Sequence, residues 1–445
     1  MPSAPSTPSV YSDFDGDGVS DLVITDTSAT VNGKYAAGYA AVVHGSSSSS
    51  ADGPNLERQQ VITQNSLNLG KAGQGGFFGT GTVSADLDSD GLADLIAQAG
   101  RNTVFVIWGG KDKLAGAARQ AGRAPLAGDF DGDGYADLVT AGGTPSTATL
   151  SYGPFTRTGI PSRTKALDLA PDDPTYYTAE PTAVGDMTGD GRDDLVVTWS
   201  HVFADEIPVP RATVVYRGTA DGLSAAGPRL KDGRGKDMFG SHTLTADVNK
   251  DGHDDVIVGL TCEILGEVAT PAGGSRLMIS YGGPEGASSE LKPVTINEKT
   301  PGLPGSPSSS SCGFGFAPAT GDVNGDGYAD VAFAAPTSDN TTTSADNTFD
   351  VLVLRGGPEG LTGKGAQNVP GFPATVRVAL LDLNGDRAAE LAIGTVNSRS
   401  TDDHVRILRG GPSGVDTTSR PTLIGPEDLR LKPVPGDRFG SGFGH

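Results

Sequence analysis

The chain has 445 residues, of which 65 are glycine and 30 proline, while only 36% are hydrophobic and 6% aromatic. This composition describes a turn-rich protein with little amphipathic helix and favours an all-β fold. The formal net charge of -21 excludes nucleic-acid backbones and anionic membrane surfaces as partners, because both require clustered Lys and Arg.

One ten-residue sequence recurs seven times along the chain. The copies in chain order are DFDGDGVSDL from Asp13, DLDSDGLADL from Asp86, DFDGDGYADL from Asp129, DMTGDGRDDL from Asp186, DVNKDGHDDV from Asp247, DVNGDGYADV from Asp322 and DLNGDRAAEL from Asp382. Apolar residues follow each copy at once, and a second apolar stretch that ends in glycine comes later, as in VFVIWGG at 104–110. Both stretches are typical of β-strands bounded by turns.

The spacing of the copies predicts the architecture. They begin between 43 and 75 residues apart, which is room for about four short strands with their connections, the content of one propeller blade. The sequence therefore predicts an all-β chain that forms a single seven-bladed β-propeller over residues 1–445. The predicted blades are 8–77, 78–122, 123–178, 179–238, 239–313, 314–374 and 375–438.

The ring of blades needs a closing element, because each blade buries its faces only against its neighbours. Three Phe-Gly pairs, beginning at Phe78, Phe239 and Phe314, stand eight residues before the first Asp of a copy. A fourth pair, at Phe439, has no copy after it. We therefore expect residues 439–445 to close the ring by meeting the N-terminus, with residues 11–13 as the inner strand of blade 1. The alternative is a chain cut short of an eighth repeat.

Each copy begins with a nine-residue segment that has the donor pattern of a calcium site, and we call these segments acidic loops 1 to 7. Calcium takes six to eight oxygen ligands, which acids at positions 1, 3, 5 and 9 and the carbonyl of position 7 can supply. Glycine at position 6 permits a left-handed turn. The predicted ligands, loop by loop, are Asp13, Asp15, Asp17, Val19 and Asp21; Asp86, Asp88, Asp90, Leu92 and Asp94; Asp129, Asp131, Asp133, Tyr135 and Asp137; Asp186, Thr188, Asp190, Arg192 and Asp194; Asp247, Asn249, Asp251, His253 and Asp255; Asp322, Asn324, Asp326, Tyr328 and Asp330; and Asp382, Asn384, Asp386, Ala388 and Glu390.

Up to seven Ca²⁺ ions are therefore expected, with two loops binding more weakly than the rest. Loop 4 has Thr188 at position 3 and so lacks one charged donor. Loop 7 has Arg387 in place of the glycine and closes with Glu390. The loops at Asp186 and Asp382 are expected to be the weakest sites.

Two other kinds of acidic loop share part of this pattern. An EF-hand loop closes with Glu at position 12 and is flanked by helices, whereas here the last acid is at position 9 and strand-like residues follow. A metal-free acidic turn is disfavoured over many copies, because three or four carboxylates within nine residues repel unless a cation joins them. The ligand positions of the loops hold 24 of the 54 acids, so seven bound ions would change the net charge from -21 to about -7.

The repeats resemble the FG-GAP repeats of the integrin α N-terminal propeller and of many secreted bacterial proteins, over essentially the whole chain. The FG and GAP signatures themselves are patchy, with Ala335-Pro336 as the clear AP after a second strand. The resemblance implies calcium loops that join strands A and B on the lower face, and ligands bound on the upper face by B–C and D–A loops. The ligand stays open, because the family includes adhesion receptors, lectin-like binders and propellers attached to enzymes.

Transferred to this chain, that geometry gives upper-face loops at 25–38, 171–179, 198–213, 259–276, 301–313, 335–350 and 394–405. Their densest aromatic group lies at the start of blade 4 and would suit stacking on a sugar. The alternative is that these rings pack loop against blade. The candidate ligand-binding residues are Tyr176, Tyr177, Trp199, His201 and Phe203.

The chain has two cysteines, Cys262 and Cys312, which this topology places in upper-face loops of neighbouring blades. A disulfide between them would fit an oxidising compartment. Two free thiols are the alternative, since a sequence cannot supply the Cα separation.

The chain carries no nucleophile elbow, zinc-protease motif or CxxC pair, and its histidines are scattered. We therefore predict a secreted, extracellular binding or adhesion module for a glycan or a protein, not an enzyme, acting as a monomer or within a larger extracellular assembly. Residues 1–10 lack the features of a signal peptide and no apolar run approaches a membrane span, so a signal peptide is expected to have been removed. The alternatives are a propeller-based polysaccharide lyase or hydrolase, and a structural spacer or coat component.

Overall fold

The computed structural model describes residues 12–47, 53–66, 70–71, 73–171, 178–201, 209–261, 274–304, 313–337, 348–373, 375–396, 404–432, 434 and 437–444. All regular elements within these residues are β-strands. The strands are β1 Leu22–Asp26, β2 Tyr39–Val43, β3 Gln59–Ile62, β4 Thr80–Ala85, β5 Asp94–Gln98, β6 Thr103–Ile107, β7 Ala117–Ala121, β8 Arg123–Gly128, β9 Asp137–Ala141, β10 Thr147–Tyr152, β11 Arg163–Asp168, β12 Thr178–Gly185, β13 Asp194–His201, β14 Val209–Thr219, β15 Gly222–Arg229, β16 His242–Ala246, β17 Asp255–Leu260, β18 Arg276–Ser280, β19 Val294–Ile296, β20 Phe316–Gly321, β21 Asp330–Pro336, β22 Thr348–Leu354, β23 Gln367–Pro373, β24 Thr375–Leu381, β25 Glu390–Val396, β26 Val405–Leu408, β27 Thr422–Ile424 and β28 Gly442–Gly444. This part of the chain contains no helix long and apolar enough to cross a membrane.

The strands form seven four-stranded antiparallel sheets, which are the predicted seven blades. Blades 2 to 7 each use four consecutive strands, from β4–β7 through to β24–β27, and blade 1 has the order β28-β1-β2-β3. The first strand of every sheet contacts the first strand of the next, and β28 contacts both β24 and β4. These seven inner strands therefore form a closed ring, and the all-β seven-bladed fold is confirmed.

Blade 1 joins the two ends of the described chain. Strand β28 pairs antiparallel with β1, with Ile24 opposite Phe443, and the N–H of Arg438 donates to Asp26 Oδ2 at 2.7 Å. The inner strand of blade 1 thus comes from the C-terminal segment, and the expectation that residues 11–13 would form it was wrong. Residue 11 lies outside the described residues, and Asp13 belongs to acidic loop 1, which leads directly into the second strand.

The hydrophobic core is divided among the junctions between blades. Seven clusters of buried apolar residues occur in the described chain, and each joins two adjacent blades, including blades 7 and 1. The second strands are buried on both faces, as in β17, so they have nearly continuous apolar sequences without polar alternation. The outer strands, such as β11, are largely exposed. Stability therefore depends on neighbouring blades remaining in contact around the whole ring.

Candidate metal loops at the lower face

The acidic loops lie at one end of the ring, where they connect the first and second strands of blades 2 to 7 and precede β1 in blade 1. Strands and not helices flank them, so the EF-hand interpretation was wrong. Neighbouring loops are joined by hydrogen bonds from the position 8 N–H of one loop to the position 1 carbonyl of the loop before it. These bonds are Ala93 to Asp13, Asp193 to Asp129, Asp254 to Asp186, Ala329 to Asp247, Ala389 to Asp322 and Ser20 to Asp382, at 2.7–3.2 Å.

The position 1 carboxylate organises the turn of each loop. In all seven loops it accepts hydrogen bonds from the backbone N–H groups of positions 5 and 6; in loop 1, Asp17 N and Gly18 N lie 3.2 and 2.9 Å from Asp13. Such bonds are typical of Asp at the start of a turn. These bonds fix the loop backbone, and they leave a lone pair of the carboxylate available to another partner.

Two positions of every loop have a positive φ angle, whereas the sequence pointed only to position 6. Position 4 is also left-handed, even where it is Ser89 at φ 56° or Lys250 at φ 58°. Arg387 takes the left-handed conformation at position 6 of loop 7 with φ 74°, and its N–H still donates to Asp382 Oδ2 at 2.9 Å. A residue with a Cβ is strained there by about 1–2 kcal/mol, which agrees with the sequence-based ranking of loop 7 as weak.

The two oxygens of the position 5 carboxylate have different partners. Its Oδ1 accepts the N–H of position 7 in all seven loops, at 2.9–3.0 Å. In loops 5, 6 and 7 its Oδ2 accepts the amide N–H of the position 3 asparagine. The asparagine nitrogen therefore faces position 5. In loops 5 and 7 the asparagine oxygen accepts the position 5 N–H, at 3.2 and 2.8 Å, whereas in loop 6 Asn324 Oδ1 has no partner.

The position 9 carboxylate is fully buried in every loop, at 0% exposure. One oxygen accepts an N–H from the start of its own loop, such as Leu87 N to Asp94 at 2.9 Å. The other accepts the N–H of a glycine that follows the third strand, such as Gly109 N at 2.8 Å. The other six glycine donors are Gly45, Gly153, Gly218, Gly282, Gly356 and Gly410, at 2.8–3.4 Å.

These seven glycines also permit a close backbone approach. A Cβ added at any of them would lie 2.4–2.5 Å from the position 8 carbonyl oxygen of the same blade, which is well inside van der Waals contact. Their φ angles are not positive, so the close approach, not backbone conformation, requires glycine. In the sequence these residues are visible as the glycine that ends each second apolar stretch. The pattern alone did not show that this glycine contacts the position 9 carboxylate.

Replacing Gly356 by alanine is expected to destabilise the protein by about 2 kcal/mol or more, because a backbone carbonyl cannot move aside as a side chain can. Its Cβ would meet Ala329 O at 2.4 Å, whereas a Cβ on Gly357 would meet no atom within 4 Å. Gly357→Ala is therefore the matched control, with an expected change within about 0.5 kcal/mol. Urea unfolding of the two variants measures the difference; equal stabilities would contradict the packing account.

The position 3 side chain carries the observation that points to a cation. Asp88 Oδ1, Asp131 Oδ1 and Asn324 Oδ1 are buried and have no hydrogen-bond partner, and the side chains of Asp88 and Asp131 are each 6% exposed. A buried acceptor without a partner is costly, by about 1–3 kcal/mol and more for a charged group. An oxygen-seeking dication in the loop would satisfy these atoms, so the residues present fit calcium.

The carboxylates are also close enough to share an ion. One oxygen each of Asp86, Asp88 and Asp90 lie within 4.8 Å of one another, and the same holds for Asp129, Asp131 and Asp137. A further such group, Asp13, Asp15 and Asp17, lies in loop 1. Ligands at 2.3–2.6 Å from a common calcium ion are separated by distances of this order.

Burial raises the pKa of the position 9 carboxyls far above their usual range, and the neighbouring loop carboxylates raise it further. The pKa is about 7 for Asp94, Asp137, Asp194 and Asp255, about 6 for Asp330 and about 8 for Glu390. A bound dication would lower these pKa values again, because its charge favours the ionised form of each carboxyl.

Comparison with known proteins agrees with this arrangement. The FG-GAP repeat model matches residues 314–354, which contain acidic loop 6 with its flanking strands, and the FG-GAP-like repeat model matches residues 86–140, which contain loops 2 and 3. The chain is an FG-GAP repeat β-propeller.

The FG-GAP propeller is similar to integrin α chains. It is 28% identical to human integrin alpha-6 over 188 residues, which are 41% of this chain and 14% of the integrin. It is 27% identical to integrin alpha-PS2 of Drosophila melanogaster over 291 residues, which are 59% of this chain and 19% of that protein. The matched regions thus span less than a fifth of these relatives.

Two solved structures are also similar to the FG-GAP propeller. The crystal structure of BBS1N in complex with ARL6DN, soaked with lead, covers 76% of this chain and 82% of its own, with a TM-score of 0.42 and 11% identity. The C-terminal domain of PilY1 from Pseudomonas aeruginosa covers 89% of this chain and 80% of its own, with a TM-score of 0.35 and 11% identity.

Three loops of the FG-GAP propeller have an arginine that the sequence analysis did not assign. In loops 2 and 3, Arg157 Nε and Arg163 Nη2 lie 2.6 Å from the outer oxygens of Asp88 and Asp131, whose inner oxygens remain unpartnered. In loop 1, Arg58 Nη2 lies 2.5 Å from Asp15 Oδ2. Position 3 is Asp in these three loops and neutral in loops 4 to 7, so each arginine offsets the additional carboxylate. No fixed sequence spacing marks these arginines.

Loop 4 of the FG-GAP propeller differs from the others around position 3. The Thr188 hydroxyl lies 3.5 Å from Asp186 Oδ1, and Arg192 Nη1 forms an ion pair with Asp190 Oδ2 at 2.9 Å. This arginine offsets one of only three carboxylates, in agreement with the expected weakness of loop 4.

Two buried acids at position 8 were also not assigned from the sequence. Asp193 Oδ2 accepts Asp129 N at 2.7 Å and Asp254 Oδ2 accepts Asp186 N at 3.0 Å, so each links its loop to the loop before it. Burial raises the pKa of both carboxyls to about 6. In the sequence they stand out only as the first of two adjacent acids in RDDL at 192–195 and HDDV at 253–256.

Of the predicted ligand-binding residues, the structure describes the side chain of Trp199 alone, and the group as a whole stays a prediction. Trp199 lies in β13 at 5% exposure, in the core between blades 3 and 4. Tyr176, Tyr177 and Phe203 lie outside the described residues, as does the side chain of His201. Cys262 and Cys312 also lie outside them, so the disulfide remains a prediction.

Proposed function

We propose that the protein is an extracellular, calcium-stabilised binding module that recognises a protein or glycan ligand through its upper face and is not an enzyme. The observation that carries the calcium part is the buried, unpartnered position 3 oxygen in loops 2, 3 and 6. Loops 2, 3, 5 and 6 have the full donor set, and loops 4 and 7 are proposed as the weakest sites. The similarity to integrin α chains supports the extracellular location.

The binding part is supported by an exposed aromatic pair at the opposite end of the ring from the acidic loops. Tyr35 is 64% exposed in the β1–β2 connection, and Phe77 is 47% exposed in the β3–β4 connection. The two connections are held together by Gly75 N to Tyr35 O and Phe77 N to Ala36 O, both at 3.0 Å. Phe77 has a φ of 45°, and such strain is often kept where it serves binding.

Rings held this way offer a rigid apolar surface that can stack on a sugar or pack on a peptide at low entropic cost. The similarity to integrin α chains favours a protein ligand and an adhesion role. We infer no catalytic group, because the clustered acids of the described chain belong to the acidic loops.

The double variant Tyr35→Ser with Phe77→Asn is expected to weaken ligand binding at least about tenfold, since exposed aromatic anchors often carry 1–2 kcal/mol each. Asn is chosen at position 77 because it tolerates the left-handed conformation. Ile160→Ala is the matched control, because Ile160 is 63% exposed in the β10–β11 connection at the other end of the blade.

The measurement is binding of the three proteins to immobilised glycans and to extracellular-protein ectodomains in 2 mM calcium. Loss of binding in the double variant but not in Ile160→Ala supports the upper-face proposal. Equal binding of all three would contradict the proposed surface. Release of new reducing ends from a polysaccharide would replace the binding proposal with the enzyme alternative.

A further inference from the structure

Acidic loop 1 differs from the other six by having an imidazole among its carboxylates. His44 is 2% exposed, and its Nδ1 lies 3.0 Å from Asp21 Oδ2 and 3.2 Å from Asp15 Oδ2. His44 directly precedes the glycine that binds the position 9 carboxylate. In the other six blades this place is taken by residues without an imidazole, namely Trp108, Tyr152, Arg217, Tyr281, Arg355 and Arg409.

The three groups form a compact and dry donor set. Asp15 is 6% exposed and Asp21 0% exposed, and one ligand atom each of Asp15, Asp21 and His44 lie within 4.8 Å of one another. Asp15 Oδ2 has no hydrogen-bond partner of acceptable geometry, although it contacts the imidazole and Arg58. Ligands at about 2.0–2.1 Å from a tetrahedral zinc ion lie roughly 3.3 Å apart, close to the two separations that involve Nδ1.

We propose that acidic loop 1 is a mixed nitrogen and oxygen site that selects zinc over calcium, with Asp15, Asp21 and His44 as ligands. Imidazole nitrogen suits zinc, whereas calcium takes oxygen ligands. A nitrogen inside the loop therefore does not fit the calcium sites proposed for loops 2, 3, 5 and 6, and this disagreement is the basis of the inference.

Arg58 is the internal competitor for this site. Its Nη2 contacts Asp15 Oδ2 at 2.5 Å and its Nη1 lies 4.0 Å from Asp17 Oδ2, yet the side chain is 39% exposed. A half-exposed guanidinium can move into solvent when an ion takes its place at Asp15. Removing Arg58 should therefore strengthen zinc binding if Arg58 competes with the ion. If Arg58 supported the site, its removal would weaken zinc binding.

The test is titration of the full chain with zinc chloride in 2 mM calcium, followed by calorimetry and by native mass spectrometry. One zinc ion per chain is expected to bind and to resist the calcium. His44→Asn is expected to weaken this binding about 100-fold, the upper range for disturbing a metal site, and Arg58→Gln is expected to strengthen it. His404→Asn, which changes a histidine outside the acidic loops, is the control and should bind as the unmodified protein does.

Cobalt in place of zinc adds a readout that folding alone would not change, because strong visible absorption by Co²⁺ reports tetrahedral coordination of the metal. The inference is contradicted if His44→Asn binds zinc as tightly as the control, if 2 mM calcium displaces the zinc, or if Arg58→Gln weakens binding. The zinc inference rests on the metal-binding loops of the proposed function, but it does not require calcium in the other loops. Zinc binding without any calcium-dependent stabilisation would refute the calcium proposal alone, and the reverse result would refute this inference alone.

Discussion

A chain that lacks residues 439–445 is expected to lose most of its folding stability. The deletion removes strand β28, which is the inner strand of blade 1 and contacts the inner strands of blades 2 and 7. It also removes Phe439, which is 2% exposed, and Phe443, which packs against the core between blades 7 and 1. Loss of the buried Phe439 alone costs about 3–5 kcal/mol, a large part of the 5–15 kcal/mol that stabilises a typical domain.

Differential scanning calorimetry of the shortened chain is the measurement, and a chain that lacks only His445 is the control because it retains β28. We expect the shortened chain to melt at least about 10 °C lower, or not to fold cooperatively at 37 °C. An unchanged transition would show that the ring does not depend on its closing strand, and would contradict the closed-ring account.

Chelation of calcium is expected to have the other large effect. A ligand that binds only the folded state stabilises it by about 2.7 kcal/mol per site at a hundredfold excess over its dissociation constant. Four loops with full donor sets would together contribute on the order of 10 kcal/mol. EDTA is therefore expected to lower the melting temperature by more than about 10 °C at neutral pH.

The pH dependence of this loss has a definite sign. In the calcium-free protein the position 9 carboxyls of loops 2 to 7 have pKa values of about 6 to 8, whereas an unfolded Asp or Glu titrates near 4. A carboxyl with a raised folded-state pKa is better tolerated when protonated. Calcium-free stability should therefore be greatest at acidic pH, fall as pH rises from about 4, and level off once pH passes the folded-state pKa values of about 6–8. Calcium binds the ionised form, so its stabilising effect should grow over the same range.

Melting curves with EDTA and with 2 mM calcium at pH 5, 6, 7 and 8 test both statements. Asp88→Asn combined with Asp131→Asn removes two of the oxygen charges in loops 2 and 3, and should make the protein less responsive to calcium and less sensitive to EDTA. A difference between the calcium and EDTA curves that shrinks with rising pH would contradict the assignment of the position 9 acids.

Much of the fold followed from the sequence because one pattern recurs seven times and each copy reports the same local structure. Strand content, blade number and the meeting of the two ends could all be inferred from the spacing and from Phe439. The inner strand of blade 1 was misplaced because residues 11–13 stand at the start of acidic loop 1, where the first strand ends in other blades. Which end supplies a strand depends on pairing across more than 400 residues, and no local pattern encodes that.

Within the acidic loops, the sequence predicted the positions whose residue type follows from oxygen ligation or from a left-handed turn. The glycines exemplified by Gly356, the linking acid Asp193 and the arginine pairs of Asp88 and Asp131 were not predictable. Each depends on a contact between separate strands or blades, which spacing within one loop does not contain. His44 is of the same kind, because it reaches loop 1 from the end of the third strand.

The predicted aromatic group at the start of blade 4 shows that a dense aromatic segment does not reveal which rings are buried. Trp199 and its neighbours looked like a ligand surface because aromatic residues are dense in that segment. The structure places Trp199 in a strand whose side chains alternate between two blade junctions, where a large ring fills core volume. Tyr35 and Phe77 are far apart in sequence, so their proximity could not be seen there.

The most direct test of the central claim is a crystal grown with calcium and measured for anomalous scattering. The account predicts a calcium peak beside Asp88 Oδ1, Asp131 Oδ1 and Asn324 Oδ1, the buried oxygens that otherwise have no partner. Well-ordered density for water alone at these three atoms, in the presence of millimolar calcium, would contradict it.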